Sequence, residues 1–469
     1  MVDPLTKAAL DYAQAHQRRF VDELIEFLRI PSVSTDSAYA GEMARAAAWL
    51  GNHLESLGAT QVMVMPTAGH PIVLGEFQVD DSLPTVLVYG HYDVQPPDPL
   101  DLWNSPPFEP AISNGRLYAR GASDDKGQLF MHLKALESWN EVAGRPPLNV
   151  KLILEGEEEC GSAHLPGFIE DHAEALAADV VVISDTTLFA PGVPSITYGL
   201  RGMAYVEITL TGPNRDLHSG IYGGAIENPI NALAALIAKM HDADHRITID
   251  GFYDNVIPLT GKERTELAAL PFDAAAWAIE VGVSAPKTEA GYSTLEGATA
   301  RPTLDCNGIW GGYTGEGAKT VLPSQASAKI SMRLVPDQAP KEIAGKLHAW
   351  LEKCKPAGMQ LDFRVIHGAQ GMLVGTESDA MEAAVQALGG VYGRRPHLTR
   401  IGGSIPVVAD FKRILGLDSV LMGFGLDSDA IHSPNEHFGL DRFSEGISAI
   451  IRFMSLYAKL FGSSTSDRR

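Results

Sequence analysis

The spacing of apolar residues in the first half of the chain follows two kinds of pattern. Short, uninterrupted apolar runs such as TVLVYG, VKLILEG and DVVVIS predict buried strands. Longer amphipathic stretches predict helices, over residues 4–29, 41–57, 126–142 and 165–177. Because buried strands that alternate with helices are typical of a doubly wound, mostly parallel sheet, we predict an α/β domain here.

The pattern changes near residue 200. Residues 195–212 predict one long, half-exposed strand, and QASAKISMRLVP alternates apolar and polar residues, as an antiparallel strand with one solvated face does. After residue 376 the α/β pattern returns. We therefore predict a catalytic domain formed by residues 1–199 and 371–469, with an α+β lid or dimerisation domain inserted over 200–370.

Composition and charge narrow the class of protein. The chain has 469 residues, 45% of them hydrophobic and 20% charged, which is ordinary for a globular protein of more than one domain. Its 58 Asp and Glu outnumber 37 Lys and Arg, so nucleic acid and anionic membranes are poor partners. The three cysteines are scattered and form no CxxC motif. We predict a cytoplasmic protein, since few unpaired cysteines fit a reducing compartment.

Polar residues stand at the ends of four apolar runs. The runs lead, in chain order, to His91 and Asp93, to Glu157–Glu159, to Asp185 and to His432. The carboxyl ends of parallel strands meet at one edge of a sheet, and Asp124, before a predicted helix, adds another carboxylate. A single His or Asp is more often a core or capping group. Two imidazoles and three carboxylates together can hold two divalent metal ions, with one carboxylate bridging them.

Ten short blocks of the sequence resemble those of one known family. Five contain the polar residues: GHYDVQPP, ARGASDDKGQ, EGEEECGS, VVISDT and AIHSPNE. The other five are ITYGLRG, DLHSGIYGG, GAKTVLP, SMRLVP and GGSIP. In their order along the chain, the ten blocks resemble those of the dimetal amidohydrolase and peptidase family of aminoacylase, carboxypeptidase G and acetylornithine deacetylase. The resemblance is strongest to its branch of cytosolic nonspecific and carnosine dipeptidases.

The resemblance implies two divalent metal ions per chain, Zn²⁺ or Mn²⁺. The implied ligands are His91, Asp124, Glu159, Asp185 and His432. Asp124 would bridge the two ions and precede a cis peptide bond, and Asp93 would orient the other ring nitrogen of His91.

The resemblance also implies the catalytic base. Glu158 would take a proton from the water between the metals and pass it to the leaving amine. Glu157, which is usually an uncharged residue in that branch, makes three consecutive glutamates here. The residues on either side of this run place the base at 158 and the ligand at 159.

Further residues are implied to contact the substrate. Arg333 would bind its terminal carboxylate, and His218 would stabilise the oxyanion of the tetrahedral intermediate. Since this histidine comes from the partner subunit in the resembled branch, the resemblance also implies a homodimer. Thr320, Gly403 and Ser404 would form hydrogen bonds with the substrate.

We therefore predict a metallopeptidase that hydrolyses the amide bond of dipeptides or short peptides through a water activated by a glutamate. Two alternatives stay open. The first is an N-acyl amino acid deacylase or carboxypeptidase of the same fold, because both share the core site. The second is a non-catalytic binding protein on a peptidase fold, which the presence of all five ligands and the base disfavours.

Overall fold

The computed structural model describes residues 2–403 and 405–466, and the chain forms two compact units. The first unit comprises Met1–Tyr198, Val374–Thr399 and Asp410–Arg469, and the second comprises Gly199–Leu373 and Arg400–Ala409. The boundaries between the units thus fall after residues 198 and 373, whereas the sequence analysis predicts them after residues 199 and 370.

Residues 400–409 differ from the predicted division, because they belong to the second unit and not to the catalytic domain. Arg201 explains their placement. Its backbone N–H donates to the carbonyl of Gly403 (3.1 Å), and its Nε donates to the carbonyl of Gly402 (3.1 Å). The segment is thereby bonded to the start of the second unit.

The strands and helices of both units are numbered in chain order. The strands are β1 (Gln61–Met65), β2 (Ile72–Phe77), β3 (Thr85–His91), β4 (Ala111–Ser113), β5 (Arg116–Tyr118), β6 (Asn149–Glu155), β7 (Val180–Ile183), β8 (Ser195–Leu200), β9 (Gly202–Thr211), β10 (Leu217–His218), β11 (Thr303–Gly311), β12 (Val321–Leu322), β13 (Gln325–Leu334), β14 (Gln360–Ala369), β15 (Met372–Leu373), β16 (His397–Ile401), β17 (Ser419–Leu421) and β18 (His437–Gly439). The helices are α1 (Pro4–Ala15), α2 (Gln17–Leu28), α3 (Ala40–Ser56), α4 (Lys126–Ala143), α5 (Leu165–Asp171), α6 (Ser219–Tyr222), α7 (Pro229–Lys239), α8 (Gly261–Ala268), α9 (Ala274–Glu280), α10 (Thr294–Thr299), α11 (Pro340–Cys354), α12 (Asp379–Tyr392), α13 (Pro406–Asp410) and α14 (Leu440–Ser466).

The sheet of the first unit confirms the predicted α/β fold class. Its strands lie in the order β1-β2-β6-β3-β7-β17-β8. The central strands β6, β3, β7 and β17 are parallel to one another, and His91 pairs with Glu155 at the end of β3. The flanking pairs β1–β2, β2–β6 and β17–β8 are antiparallel. Strands β3, β6 and β7 are almost wholly buried, as their uninterrupted apolar runs predict.

Two predicted helices differ from the structure, and a histidine stands at each difference. The predicted helix over 4–29 divides into α1 and α2 at His16, and the one over 165–177 ends before His172. In both cases the ring Nδ1 bonds to the carbonyl four residues earlier, that of Tyr12 (2.9 Å) or Phe168 (2.8 Å). The backbone N–H of each histidine bonds to the same carbonyl (3.1 Å), so the ring caps the end of the helix together with the backbone.

The second unit is built on an antiparallel sheet in the order β11-β13-β9-β14. Buried and half-buried residues alternate along β9 and through most of β13, and α7 and α11 pack on this sheet. The core of the unit includes Val206, Ile208, Ile330, Leu233 and Leu347. The predicted strand over 195–212 is interrupted at Arg201, where β8 ends and β9 begins.

Within residues 2–403 and 405–466 the structure contains no helix with the length and apolar character that crossing a membrane requires.

A charged network lies among the helices of the first unit. Lys134, on the buried helix α4, is wholly inaccessible to solvent. Its ammonium donates to Glu137 (2.7 Å), to Glu23 and to His53 Nε2 (3.1 Å). Burial and the charge of Lys134 lower the pKa of His53 to about 4, so the ring is neutral and can accept this bond. Two carboxylates therefore share one buried cation, and Arg19 donates a second charged hydrogen bond to each of them.

We expect Lys134→Met to lower the free energy of unfolding by about 1.5–3 kcal/mol, because it removes the buried hydrogen-bond donor of two carboxylates, which then pair with Arg19 alone. Urea unfolding monitored by circular dichroism would measure the change. Lys7→Met is the matched control, since Lys7 forms an exposed ion pair with Asp11, worth at most about 1 kcal/mol. Equal shifts for both variants would contradict a stabilising role for the network.

Candidate metal centre

Four neighbouring strands bring the predicted metal ligands to one edge of the sheet. His91 is the last residue of β3, Glu159 lies in the turn after β6, Asp185 follows β7, and His432 lies in the loop after β17. Asp124 lies two residues before the start of α4, next to the N-cap residue Asp125. Because β6, β3, β7 and β17 are successive parallel neighbours, their carboxyl ends meet at the same edge.

The five side chains form two groups that share one carboxylate. His91, Asp124 and Asp185 form the first group, and Asp124, Glu159 and His432 form the second, with the ligand atoms of each within 4.8 Å of one another. We call these five residues the ligand cluster. Asp124 Oδ1 lies 3.2 Å from His91 Nε2, and its Oδ2 lies 2.9 Å from His432 Nε2. Each oxygen of Asp124 therefore faces a different imidazole.

Asp93 contacts both sides of the ligand cluster. Its Oδ1 lies 3.3 Å from Nδ1 of His91, the ring nitrogen that points away from Asp124. The same carboxylate accepts hydrogen bonds from the backbone N–H groups of Glu158 (3.3 Å) and Glu159 (3.0 Å). Asp93 thus fixes the ring of His91 and the turn after β6 together.

The three consecutive glutamate side chains differ in their hydrogen bonding. Glu157 bonds through its carboxylate to Nδ1 of His164 (2.8 Å). Glu159 accepts a hydrogen bond from Gln95 (2.8 Å) and lies 3.2 Å from His432 Nε2. The carboxylate of Glu158 has no hydrogen-bond partner among the residues that the structure describes.

Burial and mutual charge shift the pKa of these groups strongly. Burial, reinforced by the charge of Asp124, raises the pKa of Asp185 well above its ordinary value. Burial also raises the pKa of Glu158 to about 7, since the nearby carboxylates oppose a further negative charge. Hydrogen bonds to Asp124 and Glu159 raise the pKa of His432 to about 10. The edge therefore contains more buried negative charge than its imidazoles balance.

The ligand cluster has the composition of a divalent metal site. Its three carboxylates and two imidazoles are donors that Zn²⁺ and Mn²⁺ accept. His91 is wholly buried, and its Nε2 has no hydrogen-bond partner in the described part of the chain. A divalent cation would satisfy this nitrogen and offset the crowded carboxylates.

Several residues that contact the ligand cluster are absent from the sequence prediction. Asp125 accepts a hydrogen bond from the backbone N–H of His91 (3.2 Å). The peptide bond that joins it to Asp124 is cis, as the resemblance implies. Gln95 bonds to Glu159, and Glu436 accepts a hydrogen bond from the backbone N–H of Asp124 (3.1 Å). Each lies in or beside a motif that the sequence analysis quotes, but no spacing rule distinguishes it from its neighbours.

The predicted substrate-binding residues lie in the second unit. His218 is exposed in β10, which pairs with β12, and Ser219 N–H donates to the carbonyl of Thr320 (3.0 Å). Arg333 is half-buried on β13, opposite Met203. Gly403 is exposed, and Ser404 lies outside the described residues. The roles of these residues towards a substrate stay predictions.

A mostly parallel sheet with a carboxylate and imidazole cluster at its carboxyl edge is typical of metal-dependent hydrolases. The family described as Peptidase family M20/M25/M40 matches residues 87–456. The chain belongs to this peptidase family.

Three similar proteins illustrate the match. The Cys-Gly metallodipeptidase DUG1 of Candida albicans is 33% identical over 94% of this chain and 95% of its own length. The crystal structure of human carnosine dipeptidase 1 has a TM-score of 0.83 and 29% identity, covering 97% of this chain and 99% of that one. The M20 family metallo-carboxypeptidase Sso-CP2 of Sulfolobus solfataricus also has a TM-score of 0.83, with 34% identity over 94% of this chain and 99% of that one.

We expect Asp93→Asn to weaken Zn²⁺ binding about 10–100-fold, because an amide cannot replace both oxygens that hold His91 and the glutamate turn. Competition with a chelating indicator would measure the affinity. Asp101→Asn, at an exposed carboxylate of the same unit, should bind Zn²⁺ as the unaltered protein does. Unchanged affinity in Asp93→Asn would mean that these contacts do not position the ligands.

Proposed function

We propose that this protein is a dipeptidase that binds two divalent metal ions, Zn²⁺ or Mn²⁺, through the ligand cluster. Its substrates would be dipeptides or short peptides with a free terminal carboxylate. We further propose that it acts in the cytoplasm, which is supported by three free cysteines, the pattern of a reducing compartment.

The observation that carries this proposal is the position of Asp124. One carboxylate that faces two imidazoles through its two oxygens is the arrangement expected of a bridging ligand between two ions. His91 and Asp185 would complete one metal site, and Glu159 and His432 the other. Bound ions would supply Lewis-acid activation of the water and of the scissile carbonyl.

Glu158 is the proposed general base. It stands next to the ligand Glu159, and its pKa of about 7, raised by burial, is close to that of an effective base at neutral pH. It would take a proton from the attacking water and deliver it to the nitrogen of the leaving amine. The carboxylate of the neighbouring Glu157 is hydrogen-bonded to His164, which supports assigning the base to position 158.

The substrate's ends are proposed to contact the second unit. The guanidinium of Arg333 has no ion-pair partner among the described residues, so it can bind the terminal carboxylate bidentately. His218 would donate to the oxyanion, while Thr320, Gly403 and Ser404 would bond to the substrate backbone. A clamp for a terminal carboxylate favours short substrates.

A homodimer is proposed as the active assembly, with His218 contributed by the partner subunit. Strand β11 supports a second copy as neighbour, because it is an edge strand of the second unit and exposes Ile309 and Trp310. Exposed edge strands with apolar side chains are unfavourable in an isolated chain.

A carboxypeptidase is the second candidate function. The 34% identity to the metallo-carboxypeptidase from Sulfolobus solfataricus supports it, while the relatives named metallodipeptidase and carnosine dipeptidase support the first. Both reactions use the same ligand chemistry. A metal-loaded assay across dipeptides, longer peptides and N-acyl amino acids distinguishes them, and cleavage of N-acyl amino acids alone would overturn both.

We expect Glu158→Gln to lower kcat on dipeptides by about 10²–10⁴-fold, because the proton acceptor is lost. Elemental analysis should still find two equivalents of metal, since Glu158 is not a proposed ligand. Removing the metal with a chelator should abolish activity in the unaltered protein.

Glu157→Gln is the matched control for this variant, since it alters the adjacent carboxylate, which bonds to His164. It should keep most of the activity. An inactive Glu157→Gln protein beside an active Glu158→Gln protein would place the base one residue earlier.

Mixing two inactive variants tests the composite site. If His218 serves the partner's site, exchange between His218→Ala and Glu158→Gln subunits gives heterodimers with one intact site. About a quarter of the unaltered activity should then return in a random mixture.

A mixture of Glu158→Gln with Asp93→Asn is the control, because both changes affect a site within their own chain and every site keeps one defect. It should recover nothing. Absence of recovery in the His218→Ala mixture, with exchange verified by mass labels, would mean that His218 acts in its own chain or not at all.

A further inference from the structure

The loop that carries His432 has a buried carboxylate at each end. Asp429 and Glu436 are inaccessible to solvent, whereas the side chain of His432 between them is 53% exposed. Ala430 and His432 have φ angles of 57° and 60°, a left-handed conformation that residues with a side chain rarely adopt. Fixed contacts at the ends of the loop are therefore needed to hold His432 in this conformation.

Glu436 bonds to the segment that carries Asp124. Its Oε1 accepts hydrogen bonds from the backbone N–H groups of Ser123 (2.9 Å) and Asp124 (3.1 Å). Its Oε2 accepts from the Arg120 guanidinium (2.7 Å) and from the N–H of Gly121 (3.0 Å). The backbone of 121–124 thus surrounds this one carboxylate.

Asp429 holds the same segment from the other end of the loop. Its Oδ2 accepts hydrogen bonds from the hydroxyl of Ser123 (3.0 Å) and from the N–H of Leu426 (2.9 Å). Arg442 donates to both of its oxygens (2.6 Å each). Ser123 is consequently bonded to both carboxylates, through its backbone and through its side chain.

We propose that Asp429 and Glu436 are positioning residues that clamp the Asp124 segment to the His432 loop. The clamp fixes the carboxylate of Asp124 against the imidazole of His432, 2.9 Å apart. This inference rests on the proposed function, in which both side chains are metal ligands. Since Asp124 belongs to both groups of proposed ligands, loosening the clamp should weaken the binding of both metal ions.

The chemistry of Glu436 makes a sharp test possible. A glutamine has one acceptor oxygen and one donor NH₂ group, while four donors converge on the two oxygens of Glu436. In either orientation of the amide, its NH₂ group replaces an oxygen that accepts two hydrogen bonds, so two donors lose their acceptor. Glu436→Gln therefore removes the clamp with almost no change in side-chain volume.

Zn²⁺ affinity, measured by competition with a chelating indicator, is the readout. We expect Glu436→Gln to bind both equivalents at least about ten-fold more weakly than the unaltered protein. Ser123→Ala, which removes only the bond to Asp429, should weaken binding several-fold. Glu445→Gln is the control, because Glu445 accepts a hydrogen bond from Tyr392 and does not contact the ligand cluster.

The melting temperature of the metal-free proteins separates positioning from simple stability. If Glu436→Gln melts lower but binds Zn²⁺ as tightly as the Glu445→Gln control, the clamp only stabilises the fold and the inference is wrong. If Glu436→Gln does not fold, Ser123→Ala decides, and unchanged affinity there overturns the inference. Failure of the unaltered protein to bind either Zn²⁺ or Mn²⁺ would instead contradict the proposed function.

Discussion

Crowding of negative charge at one edge of the sheet is the constraint on which the rest of the structure depends. Asp124, Asp185, Glu158 and Glu159 meet there with only two imidazoles between them. Burial raises the pKa of Asp185 and Glu158, whereas the two imidazoles beside Asp124 keep the pKa of its carboxyl below its ordinary value despite its burial. Like charges in a buried site are costly without a compensating cation. The carboxylates whose mutual repulsion opposes folding are thus the same groups that favour the binding of a divalent metal ion.

Carboxylates that bond to backbone N–H groups hold this unfavourable arrangement in place. Asp93 accepts from the glutamate turn, Asp125 from His91, and Glu436 from the segment of Asp124. These carboxylates satisfy backbone N–H groups at the site, and they thereby fix the residues that carry the ligands. The ligands come from separate parts of the sequence, and their geometry depends on these bonds as much as on the strands that precede them.

Sequence alone predicts the strands and the ligand edge because both follow from simple rules. An uninterrupted apolar run that ends in His91 or Asp185 places the polar residue at a strand end, and parallel strands share that edge. Other features depend on contacts that no local pattern records. The ring of His16 bonds to the carbonyl of Tyr12 at the break between two helices, and residue 436 contacts a segment more than 300 residues away. Such side-chain partners become visible only in the folded chain.

The division of residues between the two units bears on how one family supports several substrates. The ligand cluster and Glu158 lie wholly in the first unit, while His218, Thr320 and Arg333 lie in the second. The proposed metal ligands and proton acceptor belong to the first set, and the residues proposed to bind the substrate's ends belong to the second. On this proposal, substitutions in the second unit can change the preferred substrate and leave the ligand chemistry intact.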